Sequence, residues 1–283
     1  MLYGRSARGI MKIKKIFFVI ILFLSSIMLS GQQRVYSEQV AFISTLGVNF
    51  STKILSYITY SSEKYPIFKI TYNKNTINKK KYLVLCGVHG NEPAPVYAIK
   101  DFLLELNSNK VNTSNPQVDF LYIVNPWGFE KNNRYNINNI DVNRDFLTFT
   151  TQEAQVIKNN INLSEYECVF DFHEGNTKGY YLYFYSKKYE AIANNIIDLY
   201  KVNNVPIEND YIDVKLKTIN GKIFVPWYAK MYMKHNKTIT TTLWSYDNGI
   251  EKSFTIESSK NRSIDERKRI IKEILAYIVN SDF

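Results

Sequence analysis

The five residues Val88-His89-Gly90-Asn91-Glu92 narrow what this chain can fold into more than any other stretch, because they sit between two runs of opposite character. On one side, Tyr82 to Val88 is a short apolar run, which predicts a strand covered on both faces. On the other, Pro93 opens a segment with Val96, Ile99, Phe102, Leu103 and Leu106 at helical spacing, and a proline is tolerated in a first helical turn. A buried strand therefore ends at His89 and a helix begins at about Glu92. An imidazole and a carboxylate placed three residues apart across such a turn can reach one metal ion from one corner. Zinc accepts both donor types, and a catalytic site needs one further protein ligand and an open position. The chain has only 3 histidines. One of them, His173, closes a second apolar run, Cys168 to Phe172, and so completes a two-histidine, one-carboxylate set for a single Zn²⁺: His89, Glu92 and His173.

The rest of the chain alternates strands with helices. An opening helix or strand is expected within Val40 to Tyr60, then strands over Tyr65 to Tyr72 and Val118 to Val124. No element is evident from Asn125 to Thr150, a length that in a compact domain marks functional loops, and its aromatics (Trp127, Phe129, Tyr135, Phe146) argue against a solvated linker. Thr150 and Glu153 read as a capping box for a helix to about Ile161. Tyr180 to Tyr185 reads as an aromatic strand, Lys188 to Val202 as a helix, Val205 to Val225 as irregular, and Thr238 to Leu243 and Ser253 to Glu257 as strands. Ser263 caps a final amphipathic helix with Ile270, Ile271, Ile274 and Ile278 on one side. This alternation predicts an α/β domain with a mostly parallel sheet, and ligands then belong at the carboxyl ends of the strands, where His89 and His173 fall.

Of the 36 basic residues five precede Gln32, so the remainder carries 31 against 26 acidic groups, a mild +5. No basic run with interleaved aromatics suggests a nucleic-acid platform. Residues Ile16 to Ser30 form an apolar stretch behind a positive region, and Met11 opens a cleaner version of that region. Residues 1–31 therefore read as an export signal, or as a membrane anchor if left uncleaved, with a catalytic domain over 38–281. Export places the protein in the periplasm or outside the cell. The 2 cysteines, Cys86 and Cys168, each lie inside an expected core strand and read as buried free thiols.

Three blocks in order resemble the zinc metallocarboxypeptidases of the carboxypeptidase A type. They are His89-Gly-Asn-Glu92 with the distant His173; Asn125-Pro-Trp-Gly-Phe, Asn133-Arg134 and Asp141-Val-Asn143-Arg144-Asp-Phe146; and Trp244 through Glu257. The resemblance implies a three-layer α/β/α domain with a mixed, mostly parallel sheet. It implies that His89, Glu92 and His173 hold Zn²⁺ and that Glu257 is the general base. It also implies that Arg134 stabilises the oxyanion and that Arg144 with Asn143 binds the free C-terminal carboxylate of a peptide substrate. Departures from the family pattern include Asn91 where an arginine is usual and Ser258-Ser259 after the base. Tyr228 and Tyr232 are the candidates for the family's mobile substrate-contacting tyrosine, with His235 near the expected spacing. Glu174 has no assigned role.

Two other readings remain open. His-Gly-Asn-Glu and the shortened spacing to His173 also resemble the succinylglutamate desuccinylase and aspartoacylase relatives, which would make the protein an N-acyl amino acid deacylase. A non-catalytic binder of cell-wall or anionic polymer on the same fold is the third reading, disfavoured because all five chemical positions are filled. Cell-wall-derived or environmental peptides suit an exported carboxypeptidase by context.

Overall fold

The computed structural model describes residues 34–73, 80–108, 116–210, 212 and 216–283. The export or anchor segment expected over 1–31 lies outside the described residues. In chain order the elements are α1 (Tyr36–Val40), β1 (Phe50–Tyr60), β2 (Glu63–Tyr72), β3 (Lys81–Cys86), α2 (Pro93–Asn107), β4 (Gln117–Tyr122) and α3 (Pro126–Glu130). They continue with α4 (Gln152–Asn160), β5 (Cys168–Gly175), β6 (Tyr181–Phe184), α5 (Glu190–Val202), β7 (Lys222–Phe224), α6 (Trp227–His235), α7 (Thr241–Asp247), β8 (Lys252–Ser259) and α8 (Ile264–Asn280).

The strands form one 8-stranded sheet in the order β1-β2-β4-β3-β5-β8-β6-β7. Its centre is parallel, with β3 paired to β4 and β5, and β5 to β8. The antiparallel pairings β1–β2, β2–β4 and β6–β8 lie toward the sides. Both faces are covered, and the alternation within β3 shows how. Tyr82, Val84 and Cys86 pack into one core with α2, α5 and α8, while Leu83 and Leu85 pack into another with Ala154 and Ile157 of α4 and Leu243 of α7. The result is the expected three-layer α/β/α domain. Cys86 and Cys168 are buried free thiols, as expected.

The central strands carry out the backbone work that makes the site. Gly87 takes a positive φ of 67° and turns the chain off β3, and Val124 and Asn125 donate their N–H groups to the Cys86 and Gly87 carbonyls. His89 and Glu92 therefore stand at the carboxyl end of β3, His173 at that of β5, and Glu257 is paired beside His173 on β8. All three strand ends open onto one rim.

Several local expectations are corrected. Thr238 to Leu243 is not a strand: Ile239 makes only a single bridge with Asp145, and α7 begins at Thr241. The cap decides it, because the Thr240 hydroxyl accepts from Leu243 N–H and the Thr241 N–H is taken by Asn143, so a helix start satisfies groups that a strand would leave unpaired. The α4 cap is Thr151 rather than Thr150: the Thr151 hydroxyl accepts the Ala154 N–H, and both threonine hydroxyls donate to Asp145. The loop from Asn125 holds a short helix, α3, capped by Asn125, and Val205 to Val225 holds the short strand β7.

Candidate metal centre and active site

The structure brings His89, Glu92 and His173 together, each buried, with one candidate ligand atom apiece lying within 4.8 Å of the others. The two Nδ1 atoms face each other at 3.0 Å, and Glu92 lies beside both, with Oε1 3.1 Å from His89 Nδ1 and Oε2 2.9 Å from His173 Nδ1. The far sides of both rings are held by carboxylates. His89 Nε2 lies 2.9 Å from Asp141 Oδ1, and His173 Nε2 lies 3.0 Å from Asp171 Oδ2. With each Nε2–H donated to an aspartate, each Nδ1 presents a lone pair inward. Two lone pairs and a carboxylate can then converge on one point, a donor set that fits a divalent cation such as Zn²⁺.

The electrostatics agree. Burial alone would push the Glu92 carboxyl up, but the flanking imidazoles of His89 and His173 outweigh it and hold Glu92 well below the usual carboxylate range. Burial works against a charge on His173, yet the neighbouring Asp171 and Glu92 carboxylates raise it well above an ordinary histidine. Asp141 is lowered: its burial acts upward, while His89, Arg144 and Arg134 more than offset it. The ligand shell is thus anionic and wants a positive charge at its centre.

A cavity of about 730 Å³ opens on this cluster, lined by His89, Glu92, Arg134, Asn143, Arg144 and Glu257 together with a ring of hydroxyl-bearing side chains. Glu257 is half-buried, and burial, with Glu92 adding to it, pushes its carboxyl up to about 7 against the opposing pull of His173, His89 and Arg134. Arg134 gives Nε–H and Nη2–H to Asp141 Oδ2 (3.1 and 2.9 Å) and places Nη1 3.4 Å from Glu92. Arg144 is exposed on the cavity wall, with Nη1 donating to the Asn143 carbonyl at 2.9 Å. Asn143 spends its side-chain oxygen on Thr241 N–H and leaves its amide nitrogen 3.3 Å from His173 Nε2.

Of the tyrosine candidates, both Tyr228 and Tyr232 line the cavity from α6, a helix with no buried residue, whereas His235 is exposed at its end. Glu174 gains a structural setting: it accepts the Ala94 N–H at the start of α2 and pairs with Arg267 of α8, and its own N–H donates to Glu92 Oε2 at 3.1 Å. Sequence reasoning passed over five contributors. Asp141 lay within a quoted motif without a role. Lys260, whose Nζ is 3.7 Å from Glu92, stands three residues beyond the base. Tyr181, Tyr183 and Tyr185 share one side of the β6 line, a period-two signal visible in the sequence once the strand is drawn.

A family described as a protein of unknown function (DUF2817) matches residues 67–167, from β2 to the start of β5. A probable aspartoacylase of Prochlorococcus marinus (strain MIT 9301) is 40% identical over 68 residues, 24% of this chain and 20% of that relative, so the likeness spans about a fifth of the curated protein. Among solved structures, a "putative metallopeptidase" from Shewanella amazonensis SB2B superposes with a TM-score of 0.70 at 18% identity, covering 87% of this chain and 93% of that one. Bovine thrombin-activatable fibrinolysis inhibitor, solved in complex with tick carboxypeptidase inhibitor, gives 0.65 at 15% identity over 88% and 96%. A metallo-carboxypeptidase from Burkholderia cenocepacia gives 0.60 at 14% over 86% and 67%. The fold of this chain is that of the metallocarboxypeptidases.

Proposed function

We propose that the protein is an exported zinc-dependent carboxypeptidase that removes the C-terminal residue of a peptide. The observation that carries this reading is the pair of imidazole Nδ1 atoms and the Glu92 carboxylate turned inward, backed by Asp141 and Asp171, at the end of the same cavity that holds Glu257, Arg134 and Arg144. Held by His89, Glu92 and His173, Zn²⁺ would supply Lewis-acid polarisation of the scissile carbonyl and acidify water to a pKa of about 7. Glu257, beside His173 on the next strand, takes the proton from the attacking water and returns it to the leaving nitrogen. Arg134 offers a fixed positive charge beside the developing oxyanion. Arg144, exposed on the wall, can pair with a substrate carboxylate in bidentate fashion, and Asn143 adds a hydrogen bond to it. That pair would confine the enzyme to chain ends.

The test is release of a C-terminal residue from free-carboxylate peptides by the purified protein. Chelation should abolish it and Zn²⁺ restore it; no release from any such peptide with metal bound overturns the reading. A second reading, N-acyl amino acid deacylation, is favoured by the local 40% match to a probable aspartoacylase. It predicts faster hydrolysis of acyl-amino acids than of peptides under the same conditions.

A further inference from the structure

The cavity has a floor whose chemistry says what it receives. β6 and β8 run antiparallel, with Tyr181 opposite Glu257 and Tyr183 opposite Thr255. Residues two apart on a strand share one face, so Thr255 lies on the same face as Glu257, about 7 Å back along β8. Tyr185 continues the β6 line beyond Tyr183, and Thr240 closes the end from the start of α7. Tyr185, Thr240 and Thr255 all line the cavity, while Thr242 is fully buried behind them.

These four hydroxyls bond to one another. Tyr185 is 3.2 Å from Thr240 and 3.0 Å from Thr242, Thr242 is 2.7 Å from Thr255, and Thr240 is 3.3 Å from Thr242. Thr240 also accepts the Leu243 N–H at 3.1 Å. A hydroxyl brings one proton and two lone pairs. The four mutual hydrogen bonds use every proton in the cluster, and acceptor sites are left over. The floor can therefore accept hydrogen bonds from a ligand at no internal loss, but it can donate only by breaking one of its own. Of the carboxylates that line the cavity, Glu92 and Glu257 are the candidate ligand and base and Glu174 is paired with Arg267, and none of the three belongs to the hydroxyl cluster.

We propose that this floor selects a C-terminal residue whose side chain ends in a neutral hydrogen-bond donor, as glutamine's does, with Tyr185 and Thr255 as specificity-determining residues. This rests on the carboxypeptidase reading above. A purely apolar side chain of the same length gains nothing from the surplus lone pairs. A carboxylate needs donors that the cluster has already spent, and an ammonium group finds no carboxylate in the cluster to accept its protons. Sites built to hydrogen-bond a substrate group discriminate strongly against analogues that lack it.

The experiment compares kcat/KM of the Zn²⁺-loaded full chain on three peptides identical except for a last residue of Gln, Met or Glu. Gln is expected to exceed both others by about tenfold or more. Thr255→Val and Tyr185→Phe, which keep shape and lose one hydroxyl each, should bring the Gln:Met ratio toward one. Residue release with Met or Glu equal to Gln, or variants that lower Gln and Met in parallel, overturns the proposal while leaving the hydrolase standing. No release from any of the three, nor from other free-carboxylate peptides, overturns the function beneath it.

Discussion

Asp141 Oδ1 sits 2.9 Å from His89 Nε2 while its other oxygen takes both Nε–H and Nη2–H of Arg134, so one carboxylate orients a metal ligand and a candidate oxyanion group together. Asp141→Ala frees the His89 ring to choose the wrong tautomer. Carboxylates behind ligating histidines are worth about 10–100-fold in metal affinity or activity. Titration of the apo-protein with Zn²⁺ against a competing chelator should show a loss in that range. An unchanged affinity would mean that His89 is held by packing alone.

Glu257 carries a pH prediction. Its carboxyl is pushed up to about 7 by burial, with Glu92 reinforcing and His173 opposing. The base is active only as carboxylate, so kcat/KM of the Zn²⁺-loaded enzyme should rise with pH along a single acid limb and then level. Glu257→Gln should lose orders of magnitude in rate yet bind the metal. For stability the sign runs the other way: an acid raised above its unfolded value stabilises the fold below that value, and the contribution is lost as pH rises through about 7. The apo form of Glu257→Gln is therefore expected to melt higher than the apo wild type at pH 8, read by calorimetry.

Gly90 and Gly128 show why position 90, directly after the first ligand, has no side chain. A Cβ on Gly90 would lie 1.9 Å from the Gly128 carbonyl carbon and 2.2 Å from the Phe129 nitrogen, both backbone atoms of α3. Nothing there can rotate away. Gly90→Ala should cost at least the ~1–3 kcal/mol typical of overpacking and displace His89 and Glu92 with it. Urea denaturation and metal affinity should fall together; a normal midpoint would contradict the packing.

Asp119, fully buried on β4, accepts from Thr71 and Tyr166 and lies 3.2 Å from the ammonium groups of Lys69 and Lys81. Its burial acts upward, but these partners outweigh it and lower its pKa. A depressed carboxylate contributes stability that is complete above its unfolded value of ~3.9 and is lost as pH falls toward the folded one. Asp119→Asn should cost ~1–3 kcal/mol at neutral pH. The gap to wild type should narrow in acid below about pH 4, measured by denaturant midpoints across pH.

What could be read from the residues alone was whatever is written locally. Tyr82 to Val88 and Cys168 to Phe172 are buried on both faces, so their apolar runs identify strands without help from elsewhere. Ser263 caps α8, as its side chain accepts from Glu266 N–H, and this too is a local event. The pattern His89-x-x-Glu92 ahead of Pro93 pointed to one corner of a metal site for the same reason. Thr238 to Leu243 went astray because β-branched propensity is weak beside a helix cap and a hydrogen bond to Asn143, a residue 98 positions away. Only the folded chain decided that Asp141 and Asp171 stand behind opposite imidazoles and that Glu257 sits beside His173 on the next strand. Only the folded chain, again, built a hydroxyl floor from β6, α7 and β8. Those relations depend on which strands lie next to one another and where long loops return, and hydrophobic periodicity carries no record of either.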